Sequence, residues 1–471
     1  MAVVPAFGWV RTGSMPFLSG GFSVGCIELE IPSPTSVGAC PVLVFYPSID
    51  DVRKLERPPW LTADQCEALG RAQLAELFGE GLASIMMRHL GPLATGLLRI
   101  PAAPGLQPAA LPASRESEGW PVAVISHGLT GWPTVQTALA ASLCSHGAVV
   151  LLICHCDGSA CVGRSAHSAA AAASDANHYN GGPTQKPVDV PYQDWTARAR
   201  SLRSAGVSEN ALQADGEAWR RQQNEQRVTE VHAVLDGLND ALGAADPHLF
   251  GDVKSFHART EREVALFGHS FGGATVAACL LRDGTPRVVG GVNTIYSNGT
   301  GSSSSSSPAD VQSSEPLRPA ARFSHGFLFD PWIGGFACPL AEAELRARKL
   351  TSSLVTLRVW LNEGSFVARN ATGPAEALIE KAKAANTGKC LRTADILWVG
   401  SSSHYAQTDV PTVFENGPLA CIYAAIKGPP NQYKGGPMLT AREALRYSIS
   451  EALEPLLESQ WLAVGLSPIG G

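Results

Sequence analysis

The sequence predicts an α/β fold, with a mostly parallel central sheet and helices on both of its faces. Three observations carry this expectation. Short unbroken apolar runs recur, at 121–126, 148–153 and 264–267, and such runs suit strands covered on both faces. Stretches of helical period lie between them. The clearest, 217–242, places Val228, Val231, Leu235, Leu238 and Leu242 at steps of three and four. Finally, strands that alternate with helices favour parallel pairing through right-handed crossovers.

The elements follow in order. Two β-like runs within 25–46, separated by a Pro/Ser/Gly turn, predict an antiparallel start. Residues 61–100 predict an apolar helical region, and 101–117 a Pro/Ala/Ser connector. The strand at 121–126 runs into His127-Gly128, and a helix is expected over 135–145 before the strand at 148–153. The Ala/Ser/Gly/Asn-rich stretch 157–190 predicts irregular chain. The strand at 264–267 ends in Gly268-His269-Ser270-Phe271-Gly272, and a helix is expected over 274–282. Further strands are expected at 326–329, 354–361 and 396–399. Thr440 and Glu443 form a capping box before a helix carrying Leu445, Ile449, Leu453 and Leu456. We read one catalytic domain over 15–462, with tails 1–14 and 463–471 and insertions near 157–216 and 284–320. The second insertion contains six consecutive serines, Ser302 to Ser307, which cannot bury apolar surface.

Composition narrows the function classes. A chain of 471 residues with 45% hydrophobic content can bury a large core, which excludes whole-chain disorder. The net charge of −6 argues against nucleic acid as a partner. No apolar run approaches the ~18 residues of a transmembrane helix. The first residues show no basic stretch followed by an apolar one, so no signal peptide is expected, and Ala2 excludes myristoylation at this start. Eleven cysteines without paired spacing predict reduced thiols and a cytoplasmic location, with peripheral contact to membranes.

The Gly268-His269-Ser270-Phe271-Gly272 segment has the form of a nucleophile elbow, the strand-to-helix turn of an α/β-hydrolase fold. So abrupt a reversal crowds the backbone and requires glycine at the flanks. It lifts the Ser270 hydroxyl above the sheet and sets it at a helix N-terminus, where negative charge is favoured. A serine nucleophile also needs an oxyanion hole, a base and an orienting acid. The Phe271 amide, just after the nucleophile, is one expected donor. The Leu129 amide, after the strand end Ser126-His127-Gly128, is the other. His127 itself fits a loop-shaping hydrogen bond better than proton transfer. In this architecture the acid and then the base follow the serine. Only His325 and His404 come after Ser270, and His404 follows a late strand and a small-residue turn, so it is the expected base. Among Asp283, Asp310, Asp330 and Asp395, Asp330 stands at the C-terminal end of its strand, where sites form in open α/β sheets. It is the expected acid, the alternative being a turn carboxylate before Pro331. No cofactor or metal is expected. Cys154, Cys156 and Cys161 with His155 lack the second ligand pair of a zinc site.

Several motifs occur in order: Gly21-Phe22-Ser23-Val24-Gly25-Cys26, Phe45-Tyr46-Pro47-Ser48, Ser126-His127-Gly128-Leu129, Ser145-His146-Gly147, His155-Cys156-Asp157, Gly268 to Gly273, Phe329-Asp330-Pro331-Trp332 and Ser403-His404. On these the chain resembles the platelet-activating-factor acetylhydrolases of the plasma and intracellular type II group, over roughly 15–460. The resemblance implies Ser270, Asp330 and His404 as catalytic triad and the Leu129 and Phe271 amides as oxyanion hole. It also implies calcium-independent hydrolysis of the sn-2 acetyl or short or oxidised acyl ester of a phospholipid at a membrane or lipid-aggregate surface. The chain departs from the family in the 60 residues between Ser270 and Asp330, where family members place the acid sooner. A rival alignment would put Asn293 near the acid position. A general carboxylesterase or lipase on the same scaffold, or a non-catalytic lipid-binding homologue, are the alternatives. The apolar stretch with Leu82, Ile85, Met86, Met87 and Leu90 fits either an interfacial helix or one packed on the core.

Overall fold

The computed structural model describes residues 20–34, 39–50, 56–95, 99–111, 115, 117–165, 188–251, 256–281, 322–335, 338–340, 342–350, 354–363, 365, 367–385, 391–399, 404, 408 and 441–462. The chain opens with the antiparallel pair β1 (Ser23–Pro32) and β2 (Ala39–Ser48). The apolar region that follows is two helices, α1 (Ala63–Phe78) and α2 (Glu80–Thr95), broken at Gly79, whose φ is +76°. Short β3 (Ala103–Pro104) precedes β4 (Trp120–Ser126), α3 (Thr137–Ser145) and β5 (Val149–Ile153).

The stretch expected to be irregular is structured at both ends. A small antiparallel pair, β6 (Val162–Ser165) and β7 (Val188–Pro191), is followed by α4 (Trp195–Ser204). Asp194 caps α4 by accepting the Thr196 N–H at 2.8 Å. Helix α5 then runs over Glu209–Ala245, starting eight residues before the predicted 217 because its first turns are polar and exposed. After the single turn α6 (Pro247–Phe250) come β8 (Ala258–Arg259), β9 (Val264–His269), α7 (Phe271–Leu280) and β10 (Phe323–Phe329). Helix α8 (Glu342–Ala347), β11 (Thr356–Asn362), α9 (Ala368–Ala385), β12 (Thr393–Val399) and α10 (Ala441–Glu458) complete the described chain. The serine-rich segment and both tails lie outside the described residues.

The strands form one sheet in the order β12-β11-β10-β9-β4-β5-β2-β1-β3, with β8 paired to β4 beside this path. Every neighbouring pair is parallel except β1–β2 and β2–β5. This is the strand order of the α/β-hydrolase fold. Alternate residues of each central strand serve opposite layers. Val122 and Val124 of β4, with Val264 and Leu266 of β9, pack under α5, α7 and α9. Ala123 and Ile125, with Ala265 and Phe267, pack under α1, α2, α3 and α10. The apolar stripe of α5 is the predicted one, with Val228, Val231, Leu235, Leu238 and Leu242 all buried.

Strands β4 and β9 are parallel neighbours, so their C-terminal ends lie side by side. Helix α7 begins there so close to β4 that a Cβ at Gly272 would sit 1.9 Å from the Ser126 carbonyl oxygen. Backbone atoms at that distance must move, so Gly272→Ala should destabilise the fold by about 3 kcal/mol. Equilibrium urea unfolding measures this, and a variant as stable as the parent would contradict the close approach.

His325 lies inside β10, between Ser324, whose Oγ is 2.7 Å from His325 Nδ1, and Phe327, on whose ring it stacks. Burial, with Arg259 and Arg392 nearby, pushes its pKa down to about 3. The unfolded imidazole takes a proton near pH 6.5, and the buried one resists until pH falls to about 3. Protons therefore bind the unfolded state preferentially in that window, and stability falls as pH drops from 6.5 toward 3. His325→Gln should flatten this fall, measured as unfolding free energy at several pH values. An unchanged slope would show that His325 does not contribute.

Candidate active site

Ser270 sits between β9 and α7 with φ +55° and ψ −116°, a region costly for a residue with a side chain. The surrounding backbone holds it there. The Ser270 N–H donates to the Phe329 carbonyl at 3.0 Å, and the Ser270 carbonyl accepts the N–H groups of Trp332 at 2.8 Å and Gly273 at 3.0 Å. A Cβ at Gly268 would meet the Gly272 carbonyl oxygen at 2.2 Å. The turn is thus closed on itself, and glycine at both flanks follows from contact.

Asp330 follows β10 directly and is fully buried, with φ +43°. Its N–H donates to the Trp360 carbonyl at 2.8 Å, which ties it to β11. Its carboxylate is held at both oxygens. Oδ1 accepts the Asn362 N–H at 3.1 Å, and Oδ2 lies 2.5 Å from His404 Nδ1. Ser365 Oγ lies 3.3 Å from the same ring nitrogen. The His404 carbonyl accepts from His269 Nε2 at 2.6 Å, and the two imidazoles pack with ring centroids 4.7 Å apart. Burial first, and then His404, pushes His269 down to about 3. It is therefore a neutral imidazole whose Nε2 proton anchors the backbone of its neighbour. Ser270, Asp330 and His404 thus gather at one edge of the sheet, beyond the C-terminal ends of β9, β10 and β12. Asp395, the described competitor, sits in β12 paired with Arg358 at 3.3 Å. Asp283, Asn293, Asp310 and Ser403 lie outside the described residues.

The loop after β4 flanks the same point. A side chain at Gly128 would come within 3.1 Å of Ser270 Cβ and 3.2 Å of His269 Nδ1. Thr130, at φ +54°, donates its N–H to the Ser159 carbonyl at 2.7 Å and its hydroxyl to the Leu129 carbonyl at 2.7 Å. Among the described residues, neither the Leu129 nor the Phe271 amide N–H has a hydrogen-bond acceptor. His127 shapes this loop: its Nδ1 lies 2.7 Å from the Gly128 carbonyl and its Nε2 accepts the His155 N–H at 3.3 Å.

Behind the loop lies a buried polar network that the sequence reading did not identify. Ser126 Oγ is 2.8 Å from His155 Nε2, and His155 Nδ1 is 2.7 Å from Glu230 Oε2. This repeats the Ser-His-carboxylate connectivity, but in the interior, where Ser126 is 2% exposed and His155 and Glu230 not at all. Burial, then Arg227, holds His155 well below its ordinary value. Burial, then Asp157, pushes Glu230 up to about 8. Both nitrogens of His155 are engaged, which leaves none for a metal beside Cys154, Cys156 and Cys161. Next to it, Arg227 Nε donates to Asp157 Oδ2 at 2.9 Å, and Arg227 Nη1 donates to the His127 carbonyl at 2.7 Å. Burial alone would raise the Asp157 carboxyl, but Arg227, His155 and the Ser159 hydrogen bonds together hold it below its ordinary value. Arg227 and Glu230, three apart on the apolar side of α5, were a readable sign of such a network, because a charge there must be paired.

A sequence model of the family described as "Platelet-activating factor acetylhydrolase, isoform II" matches residues 8–298. The match takes in the β4 loop and the elbow and stops short of Asp330 and His404. The platelet-activating factor acetylhydrolase of Bos taurus is 28% identical over 283 residues, covering 58% of this chain and 53% of that protein. That of Canis lupus familiaris is 27% identical over 281 residues, with the same shares. The chain spans about half the length of these curated relatives. Among solved structures, a ferulic acid esterase from Streptomyces cinnamoneus aligns over 96% of this chain and 94% of its own, at 17% identity and a TM-score of 0.41. With the family model matching more than half of its residues, the chain belongs to the platelet-activating factor acetylhydrolase, isoform II, family.

Proposed function

We propose that this protein is a serine ester hydrolase that removes the acetyl or a short or oxidised acyl group from the sn-2 position of platelet-activating-factor-like phospholipids. The observation that carries the reading is the Asp330–His404 bond of 2.5 Å beside the strained turn at Ser270. Ser270 Oγ attacks the acyl carbonyl while His404 takes its proton. The Leu129 and Phe271 N–H groups receive the tetrahedral oxyanion. Asp330 keeps the His404 Nδ1 proton on its own side, so Nε2 stays the basic nitrogen. Lyso-phospholipid leaves with the proton from His404. Water, activated by the same imidazole, then releases the short acid. The protein's own residues complete this cycle, which is why calcium independence is part of the proposal.

The substrate class comes from the family and from the names of the relatives. The surface supports it. On α2, Ala83 and Met87 face the core while Leu82 and Ile85 are 53% and 61% exposed, so the helix combines a packed side with an apolar outer side suited to lipid. The side chain of Leu90 lies outside the described residues. Among the described residues no helix is long and apolar enough to cross a membrane.

Ser270→Ala should abolish labelling by a fluorophosphonate probe, and Asp330→Asn should lower kcat by about 10⁴-fold with little change in KM. A wild-type protein that takes no label would overturn the enzyme reading in favour of a lipid-binding homologue. An Asp330→Asn variant of undiminished kcat would remove Asp330 from the triad. Hydrolysis of an sn-2 acetyl phospholipid should exceed that of its palmitoyl analogue by at least about tenfold in kcat/KM, a discrimination of roughly 1.4 kcal/mol, and be unaffected by calcium chelation. Equal rates would indicate a general lipase.

A further inference from the structure

We propose that Arg227 is a positioning residue that sets the distance between the two donors of the oxyanion hole. The proposal rests on the reading of Ser270 as nucleophile. Arg227 is fully buried at the middle of α5, eighteen residues from either end of the helix. Stability does not explain it well, because a buried ion pair loses in desolvation much of what it gains in attraction.

What its guanidinium touches is more specific. Nη1 holds the His127 carbonyl at 2.7 Å, two residues before Leu129. Nε lies 3.1 Å from Ser159 Oγ, and Nη2 also donates to that hydroxyl. The Ser159 carbonyl in turn accepts the N–H of Thr130, the residue after Leu129. The Leu129 peptide is therefore tied back to Arg227 on both sides. On its other side the guanidinium lies over the Phe271 ring, with Cζ 4.2 Å from the centroid. Phe271 supplies the second donor. One planar cation thus touches the supports of both amides, one through a hydrogen bond and the other through its face. Asp157, at 2.9 Å from Nε, fixes the plane of the group and balances its charge. Lysine has neither the fork nor the flat face.

The test uses two full-length variants. Arg227→Lys keeps a cation opposite Asp157. Arg227→Met combined with Asp157→Leu removes the pair without leaving an unpaired buried charge. Each is assayed with p-nitrophenyl acetate and with a trifluoromethyl ketone. The ketone reacts reversibly: Ser270 Oγ bonds to the carbonyl carbon, the carbonyl π bond becomes the oxyanion, and the Ser270 proton passes to His404. Thermal melting reports the fold. The expected result is a folded variant with kcat lowered about 10²–10³-fold, KM within about threefold of the parent, and ketone affinity lowered in parallel with kcat/KM. A merely structural role would not produce that parallel. A folded variant with parental kcat, or one whose KM rises while ketone affinity is kept, overturns the proposal. So does failure of both variants to fold, which would make Arg227 a core residue. If the parent neither takes a fluorophosphonate label nor hydrolyses the ester, the proposed function falls, and this proposal with it.

Discussion

Two stretches of main chain touch at the ends of β4 and β9, and most of the site depends on how closely they do so. With a Cβ at Gly272 only 1.9 Å from the Ser126 carbonyl oxygen, there is room for backbone and for nothing else. The contact sets the start of α7 against the end of β4. It thereby brings the amide after Ser270 toward the loop that carries Leu129. The parallel pairing of β4 with β9 makes such a contact possible, because only neighbouring parallel strands end side by side. The carboxylate follows the same logic one strand further out. Asp330 leaves β10, is bonded to the backbone of β11 at Trp360 and Asn362, and receives His404 from beyond β12.

The interior also shows how little connectivity says about chemistry. Ser126, His155 and Glu230 are joined in the same sequence of contacts as a hydrolytic triad. Ser126, however, is the last residue of a covered strand, whereas Ser270 stands on a turn of positive φ. Ser126 is also the more deeply buried of the two, at 2% exposed against 7% for Ser270. The inner set instead fills a polar space beneath the loop, where Glu230 also accepts the Cys156 N–H at 3.2 Å and the Gln226 side chain at 2.9 Å. Its contribution is to satisfy donors and acceptors that would otherwise be stranded.

Much of this was readable in advance, and the exceptions have physical reasons. The central strands were legible because both faces are covered, so their residues are apolar without interruption. Glycines at 268 and 272, and aspartate at a strand end, were legible because geometry admits few other residues there. The start of β10 at Phe323 rather than 326 was hidden by Ser324 and His325, two polar residues that are buried because they face each other. The break at Gly79 was hidden because the helices on either side share one apolar character. Structure in 157–216 was hidden because β6, β7 and α4 are short and polar. Arg227 and Glu230 were hidden because the period of α5 shows in its apolar members, and these two charges interrupt its buried side. His269 and Ser365, which hold His404 in place, carry no spacing rule by which a sequence could reveal them.

Between Ser270 and Asp330 the chain leaves the edge of the sheet where both stand and returns to it along β10. Helix α7 starts at the site and runs back along the sheet, so that Leu280 packs beside Gly326. Arg322 stands just ahead of Phe323, the first residue of β10, which pairs with Val264, the first residue of β9. Both stubs of this connection therefore lie at the end of the sheet remote from Ser270. Lengthening a connection whose ends are already fixed adds only a slowly growing entropy, about 0.6 kcal/mol for each doubling. The places of Ser270 and Asp330 are therefore set by the pairing of β9 with β10 rather than by the number of residues between them. In engineering terms, the end of the sheet where Leu281 and Arg322 stand is a splice point: a reporter or a new pair of termini joined to these two residues starts away from Ser270.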